Sequence, residues 1–210
     1  MVKKIKPYRY LLLFLALINL VITPLEAAIF PVSGGLLSLV NYSLVILVGV
    51  LAARRRQIHV LTVLVGLITM VFVWLEFFNE HHVVSQCRMI SILIFFIIIY
   101  FILIRNFIET TTVTFSIIFG AMAGYILIGI IGGVLFELLD YNYPDSVTIS
   151  EGAGAYDYYY YSFISMVTIG FGDIIPLTSA AKSLTILIGV IGQFYMAIGI
   201  AFFVGKHLKG

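Results

Sequence analysis

The sequence predicts an all-α membrane protein: six transmembrane helices, with a short re-entrant helix and a non-helical segment between helices five and six. Three observations predict it. The 210 residues are 62% apolar and only 10% charged, with a mean hydropathy of +1.14, so no soluble domain is left over. A span needs roughly 20 apolar residues at 1.5 Å each, and the chain divides into six such runs. Near the C-terminal end, Thr168, Ile169, Gly170, Phe171, Gly172 and Asp173 interrupt the apolar pattern; two glycines close to Pro176 weaken a helix there and favour extended backbone. Non-helical backbone at membrane depth is tolerated only where protein buries it or water reaches it.

Lys3, Lys4, Lys6 and Arg9 precede the first helix, which runs from Tyr10 to about Val21 and is prolonged towards Phe30 through Pro24 and Glu26. The same stretch has the order of a signal peptide, with Glu26, Ala27 and Ala28 as a mimic of a cleavage site. Glu26 sits badly in such a site, which favours an uncleaved helix. Pro31 to Gly35 is a turn, and a second helix runs from Leu36 to about Ala53. Arg54, Arg55 and Arg56 mark a hairpin. The third helix covers Ile58 to Phe78 and ends at Asn79, Glu80, His81 and His82. The fourth covers Arg88 to Asn106, with no charge between Arg88 and Arg105.

The fifth helix, from about Thr110 to Leu139, carries Gly120, Gly124, Gly129 and Gly133. Glycine pairs at four-residue spacing let another helix approach closely; the alternative is glycine merely tolerated in a membrane helix. A tyrosine-rich acidic loop from Asp140 to Tyr156 leads to Asp157, the expected N-cap of a pore helix that ends at Val167. The last helix runs from about Thr178 to Val204. Cys87 is the single cysteine, which excludes an intrachain disulfide and a cysteine-based metal site.

Six spans put both termini on one side, and the charges agree. Ten of the twelve Lys and Arg fall on the face of the termini, all but Arg88 and Lys182, while nine of the ten acids, all but Glu109, face the other way. Lys and Arg mark the cytoplasmic face, so both termini are expected in the cytoplasm and Asp173 at the outer mouth.

The segment Tyr160 to Pro176, YYSFISMVTIGFGDIIP, resembles the pore loop and selectivity filter of potassium channels, and its Phe-containing form is similar to the second filter of two-pore-domain potassium channels. That resemblance implies a bacterial-type channel with one pore domain per chain: a four-helix region over 1–109 without voltage-sensor arginines, and a pore domain over 110–210. It implies a potassium-selective homotetramer in which the carbonyls of Thr168, Ile169, Gly170 and Phe171, with the Thr168 hydroxyl, bind the permeant ion. Gly172, Asp173, Tyr160, Glu137 and Val167 would support the filter. Glu137 takes the place of a family Glu that bonds the loop behind the filter, and Asp173 with Tyr160 takes the place of an Asp–Trp pair. Val167 stands where many members carry a second Thr, and Phe171 lacks the phenol of the usual Tyr. Gly192, nineteen residues after Asp173, matches a hinge glycine, with close packing on the fifth helix as the alternative. The compact form resembles that of prokaryotic inner-membrane channels.

The residues themselves add expectations about mechanism. Glu137, Asp140, Asp145, Glu151 and Asp157 are expected around the entrance, where acids concentrate cations by electrostatic focusing; for all but Glu137 the alternative is a solvated acidic loop with no effect on current. Voltage gating of the strong kind needs roughly three or four charges on the fourth helix of each subunit, and its interior has none. The six residues beyond Val204 are too few for a regulatory domain, which leaves lipid, tension, protons or the filter itself as the gating stimulus; His81 and His82 are candidate proton sensors. No metal, nucleotide or catalytic motif is present, so no enzyme activity, no cofactor and no nucleic-acid partner are expected. Asn19 and Asn41 read as too scattered for a catalytic constellation. The rival readings are a weakly selective or non-conducting channel subunit and a membrane protein that is no channel.

Overall fold

A computed structural model of the chain describes residues 8–53, 56–79, 81–110, 114–149 and 154–207, and they are helical almost throughout. The elements are α1 (Arg9–Val21), α2 (Thr23–Ile29), α3 (Gly34–Ala52), α4 (Arg56–Phe78), α5 (His82–Glu109), α6 (Phe115–Asn142), α7 (Ala155–Met166) and α8 (Ser179–His207). Five of them, α3, α4, α5, α6 and α8, are long and apolar enough to cross a membrane; a sixth span results if α1 and α2 are taken together. The chain forms two compact units, Met1–Ile126 and Leu127–Gly210, with α6 running through both.

The expected first helix is broken. α1 and α2 meet at Ile22 with a bend of 62°. Pro24 sits in the first turn of α2, where a missing N–H costs nothing, and its ring prevents α1 from continuing through. The break is stabilised by polar side chains that lie far apart in the sequence and meet in the fold. Asn19 Nδ2 donates to Asn41 Oδ1 at 2.6 Å, and Asn41 Nδ2 donates to Thr23 Oγ1 and to Glu26 Oε2, both at 2.8 Å. Asn41 and Thr23 are buried, so each polar atom that finds a partner here avoids a desolvation cost of about 1–3 kcal/mol.

In this first unit α1 packs on α3, α3 on α4 and α4 on α5. Leu13, Leu17, Leu20, Phe95, Phe96 and Ile99 fill its interior. Arg88 begins the stretch expected as the fourth helix, but α5 starts six residues earlier, at His82, because the His81 side chain accepts the Val83 N–H and starts the helix there. Arg88 is thus inside the helix and buried, and it pairs with Glu76 of α4. The outward faces stay apolar, with Leu47, Leu51, Leu64, Leu67 and Ile68 exposed, as helices that are hydrophobic all round require of a lipid-like surrounding.

Lys3, Lys4, Lys6, Arg54, Arg55, Glu80, Glu151 and Lys209, on which part of the charge argument rests, lie outside the described residues.

Candidate functional site

The site is built by α7 and the segment that follows it. Twelve residues give α7 a length of about 18 Å, roughly half of what a span needs. Its start differs from the expectation: Gly154 is the N-cap, and Asp157 is the third helical residue, whose carboxylate reaches back to accept the Gly154 N–H at 2.9 Å. A carboxylate in the first turn also favours the positive end of the helix dipole.

After Val167 the chain leaves the helix and turns its amides back on it. Thr168 N–H donates to the Ser165 carbonyl at 3.2 Å, and the N–H groups of Ile169 and Gly170 both donate to the Ile164 carbonyl, at 2.9 and 3.2 Å. The backbone then alternates in hand. φ is positive at Thr168 (62°), Gly170 (55°) and Gly172 (80°), but not at Ile169 or Phe171. A left-handed residue beside a right-handed one brings successive N–H groups to one side. Among the described residues, no carbonyl from Thr168 to Gly172 accepts a hydrogen bond. The segment is exposed in the single chain, with Ile169 at 54% and Phe171 at 72%.

Glycine adopts positive φ without a steric penalty, which accounts for Gly170 and Gly172. Thr168 is another matter: a β-branched residue in the left-handed region is an outlier and costs about 1–2 kcal/mol. The amide bonds onto the end of α7 hold it there.

α7 is braced on every side by its own polar residues. Tyr158 donates to Asp140 and Tyr160 to Asp173, each at 2.6 Å; Tyr161 bonds Thr185 of α8 at 2.8 Å, and buried Ser162 donates to the Gly129 carbonyl of α6 at 2.8 Å. The Tyr160 bond holds the Asp173 carboxyl below the usual carboxylate range, and the same bond raises the Tyr160 phenol. Asp173 also accepts the Ile174 N–H at 3.1 Å.

Small residues on α6 and α8 let α7 come this close. A Cβ at Gly129, Gly132 or Gly133 would overlap Phe163, Ser162 or Tyr159 respectively, and one at Gly192 would overlap Met166. Gly192 therefore packs on the end of α7, and the neighbouring Gln193 donates to the Met166 carbonyl at 3.2 Å. Gly132 has no mark in the sequence pattern, because it falls outside the four-residue glycine spacing.

Glu137 lies half-buried towards the C-terminal end of α6, with Oε2 shielded from solvent. The loop that follows α6 is held by Asp140, which accepts the Ser146 and Val147 N–H groups at 2.8 and 3.4 Å. Asp140 had been read only as an acid of the entrance. Asp145 is exposed, in a turn with φ 64°. Among the described residues no group of His, Cys, Asp and Glu is arranged to hold a metal ion.

Residues 112–206 match the family model of an ion channel. The match takes in α6, α7, the alternating segment and nearly all of α8, and it supports an ion-channel pore and passive ion conduction in a membrane. No curated protein and no solved structure matches the chain.

Proposed function

We propose that this chain is one subunit of a potassium-selective channel, a homotetramer of cyclic symmetry whose filter is formed by Thr168 to Asp173. The observation that carries the reading is the alternation of backbone hand at 168, 170 and 172, with amides bonded to α7 and carbonyls left without partners. Carbonyl groups in such a row replace the hydration shell of a cation when several copies face a common axis. Thr168, Ile169, Gly170 and Phe171 supply those oxygens, and the Thr168 hydroxyl adds one at the inner end.

One chain supplies one side of such a ring, so copies must be arranged around an axis. The exposed Ile169 and Phe171 and the sparse burial of α8, 11% over its apolar window, leave apolar surface for neighbouring copies to cover. On the reading of six spans, with α1 and α2 as one, both termini share a side; the Lys and Arg asymmetry favours the cytoplasm for it, with Asp173 outside and α7 dipping back into the membrane from the outer face. The carbonyl end of α7 points inward and favours a cation below the filter. The reading includes no strong voltage gating, since Arg88 of α5 is already neutralised by Glu76 and Arg105 lies near the helix end beside Glu109.

Purified protein in liposomes tests the proposal. With opposed potassium and sodium gradients, the reversal potential is expected near the potassium equilibrium value. A reversal midway between the two ions favours a weakly selective cation channel, and absence of flux from a folded tetramer overturns conduction altogether.

A further inference from the structure

The outer loop is joined to the residues just beyond the filter by a short two-stranded contact. Val147 and Pro176 form an antiparallel bridge. Pro176 has no N–H to give, so the bonds run through its neighbours. Leu177 N–H donates to the Ser146 carbonyl at 2.8 Å, Thr148 N–H to the Ile175 carbonyl at 2.9 Å, and Ile175 N–H to Thr148 Oγ1 at 2.8 Å. Ser146 and Val147 are buried.

What fixes the loop side of this contact is one carboxylate. Asp140 Oδ1 accepts the Ser146 and Val147 amides, and its Oδ2 accepts the Tyr158 hydroxyl from the first turns of α7. Charged acceptors of this kind make the stronger class of hydrogen bond. Burial raises the Tyr158 phenol, and the Asp140, Glu137 and Asp157 carboxylates raise it further, so the hydroxyl keeps its proton and remains a donor. A continuous chain of bonds thus runs from the end of α6 through Asp140 to Ser146, and on to Leu177 and Ile175.

We propose that Asp140 is a positioning residue for the filter: through the 146–148 loop it sets where the chain leaves the filter's outer end, and so how narrowly the ring selects. This rests on the reading of 168–173 as a filter. Two measurements separate the two claims, amide hydrogen exchange over 174–178 and the potassium-to-sodium permeability ratio of the reconstituted full-length protein.

Asp140→Ala removes both arms of the contact. Thr148→Val, a milder change, leaves Asp140 in place and removes the hydroxyl that accepts the Ile175 N–H and donates to the Ile175 carbonyl. Asp140→Ala is expected to speed exchange at Ile175 and Leu177 roughly tenfold and to lower the permeability ratio, with α7 still protected; Thr148→Val is expected to speed exchange at Ile175 alone. Tyr158→Phe is expected to give a smaller change of the same sign, and Asp145→Asn no change in exchange. The proposal fails if Asp140→Ala frees the Ser146 and Val147 amides while 174–178 and the permeability ratio keep wild-type values. If Asp140→Ala does not fold, Tyr158→Phe, which removes the Asp140 Oδ2 contact, decides instead: unchanged exchange over 174–178 and an unchanged permeability ratio overturn the proposal. A wild-type protein that passes neither ion sinks the potassium reading instead, and the exchange result then decides the positioning role alone.

Discussion

Asp173 shows how one side-chain bond sets a pH dependence. Its carboxyl is depressed chiefly by the Tyr160 hydroxyl. A group whose pKa is lower in the folded protein contributes stability that is present above the unfolded value and is lost as pH falls through the folded one. The segment around Asp173 should therefore hold its conformation through mild acid and loosen only below the usual carboxylate range. Tyr160→Phe removes the principal cause, so the Asp173 titration should move up towards an ordinary aspartate; carboxyl ¹³C shifts followed against pH measure this, and an unmoved titration contradicts the assignment. The residue types of this pair were legible in the sequence, since Tyr160 and Asp173 stand at positions a filter motif defines. The Asp140 contacts were not, because Ser146 and Val147 present backbone N–H groups, and a backbone donor leaves no mark on a residue's identity. The left-handed Thr168 was equally hidden: no propensity places a β-branched residue at positive φ, and only the surrounding bonds to Ser165 and Ile164 do so.

At the scale of elements, helices were legible where apolar runs were long and uninterrupted, as α3, α4 and α8 show. The ends moved by several residues because capping decides them: His81 starts α5 ahead of Arg88, and Gly154 rather than Asp157 caps α7. The α1–α2 break was visible only as Pro24, and the union of Asn19, Thr23, Glu26 and Asn41 not at all, since it depends on how α2 folds back towards α3. Asn41→Ala would leave the Glu26 carboxylate and the Asn19 amide without their shared partner, and should lower the melting point through a loss of about 1–3 kcal/mol; an unchanged melting point would show that the cluster contributes nothing. Packing around α7 gives a sharper contrast. An added Cβ at Gly133 meets the Tyr159 backbone as well as its ring, which no rotamer change relieves. Gly133→Ala should destabilise by about 1–3 kcal/mol or more. Gly199 meets nothing within 4 Å, so Gly199→Ala should be neutral, or stabilising by up to about 1 kcal/mol through helix propensity. Thermal unfolding of the two variants side by side distinguishes them.

For the whole molecule, the apolar composition and the asymmetry of Lys and Arg announced a membrane protein before any fold was known, and the match of 112–206 to an ion channel agrees with it. Assembly is the part a single chain cannot display. Four copies of the 23.4 kDa chain are expected in mild detergent, and a monomeric mass would contradict the proposed ring. The central claim, that backbone oxygens of 168–171 take the place of water around a dehydrated cation, has a direct test in crystals of the assembled protein soaked with rubidium or thallium. Anomalous density should appear as a file of peaks on the symmetry axis, each flanked by carbonyl oxygens of Thr168, Ile169, Gly170 or Phe171. An axis without peaks, or carbonyls turned away from it, would contradict the account.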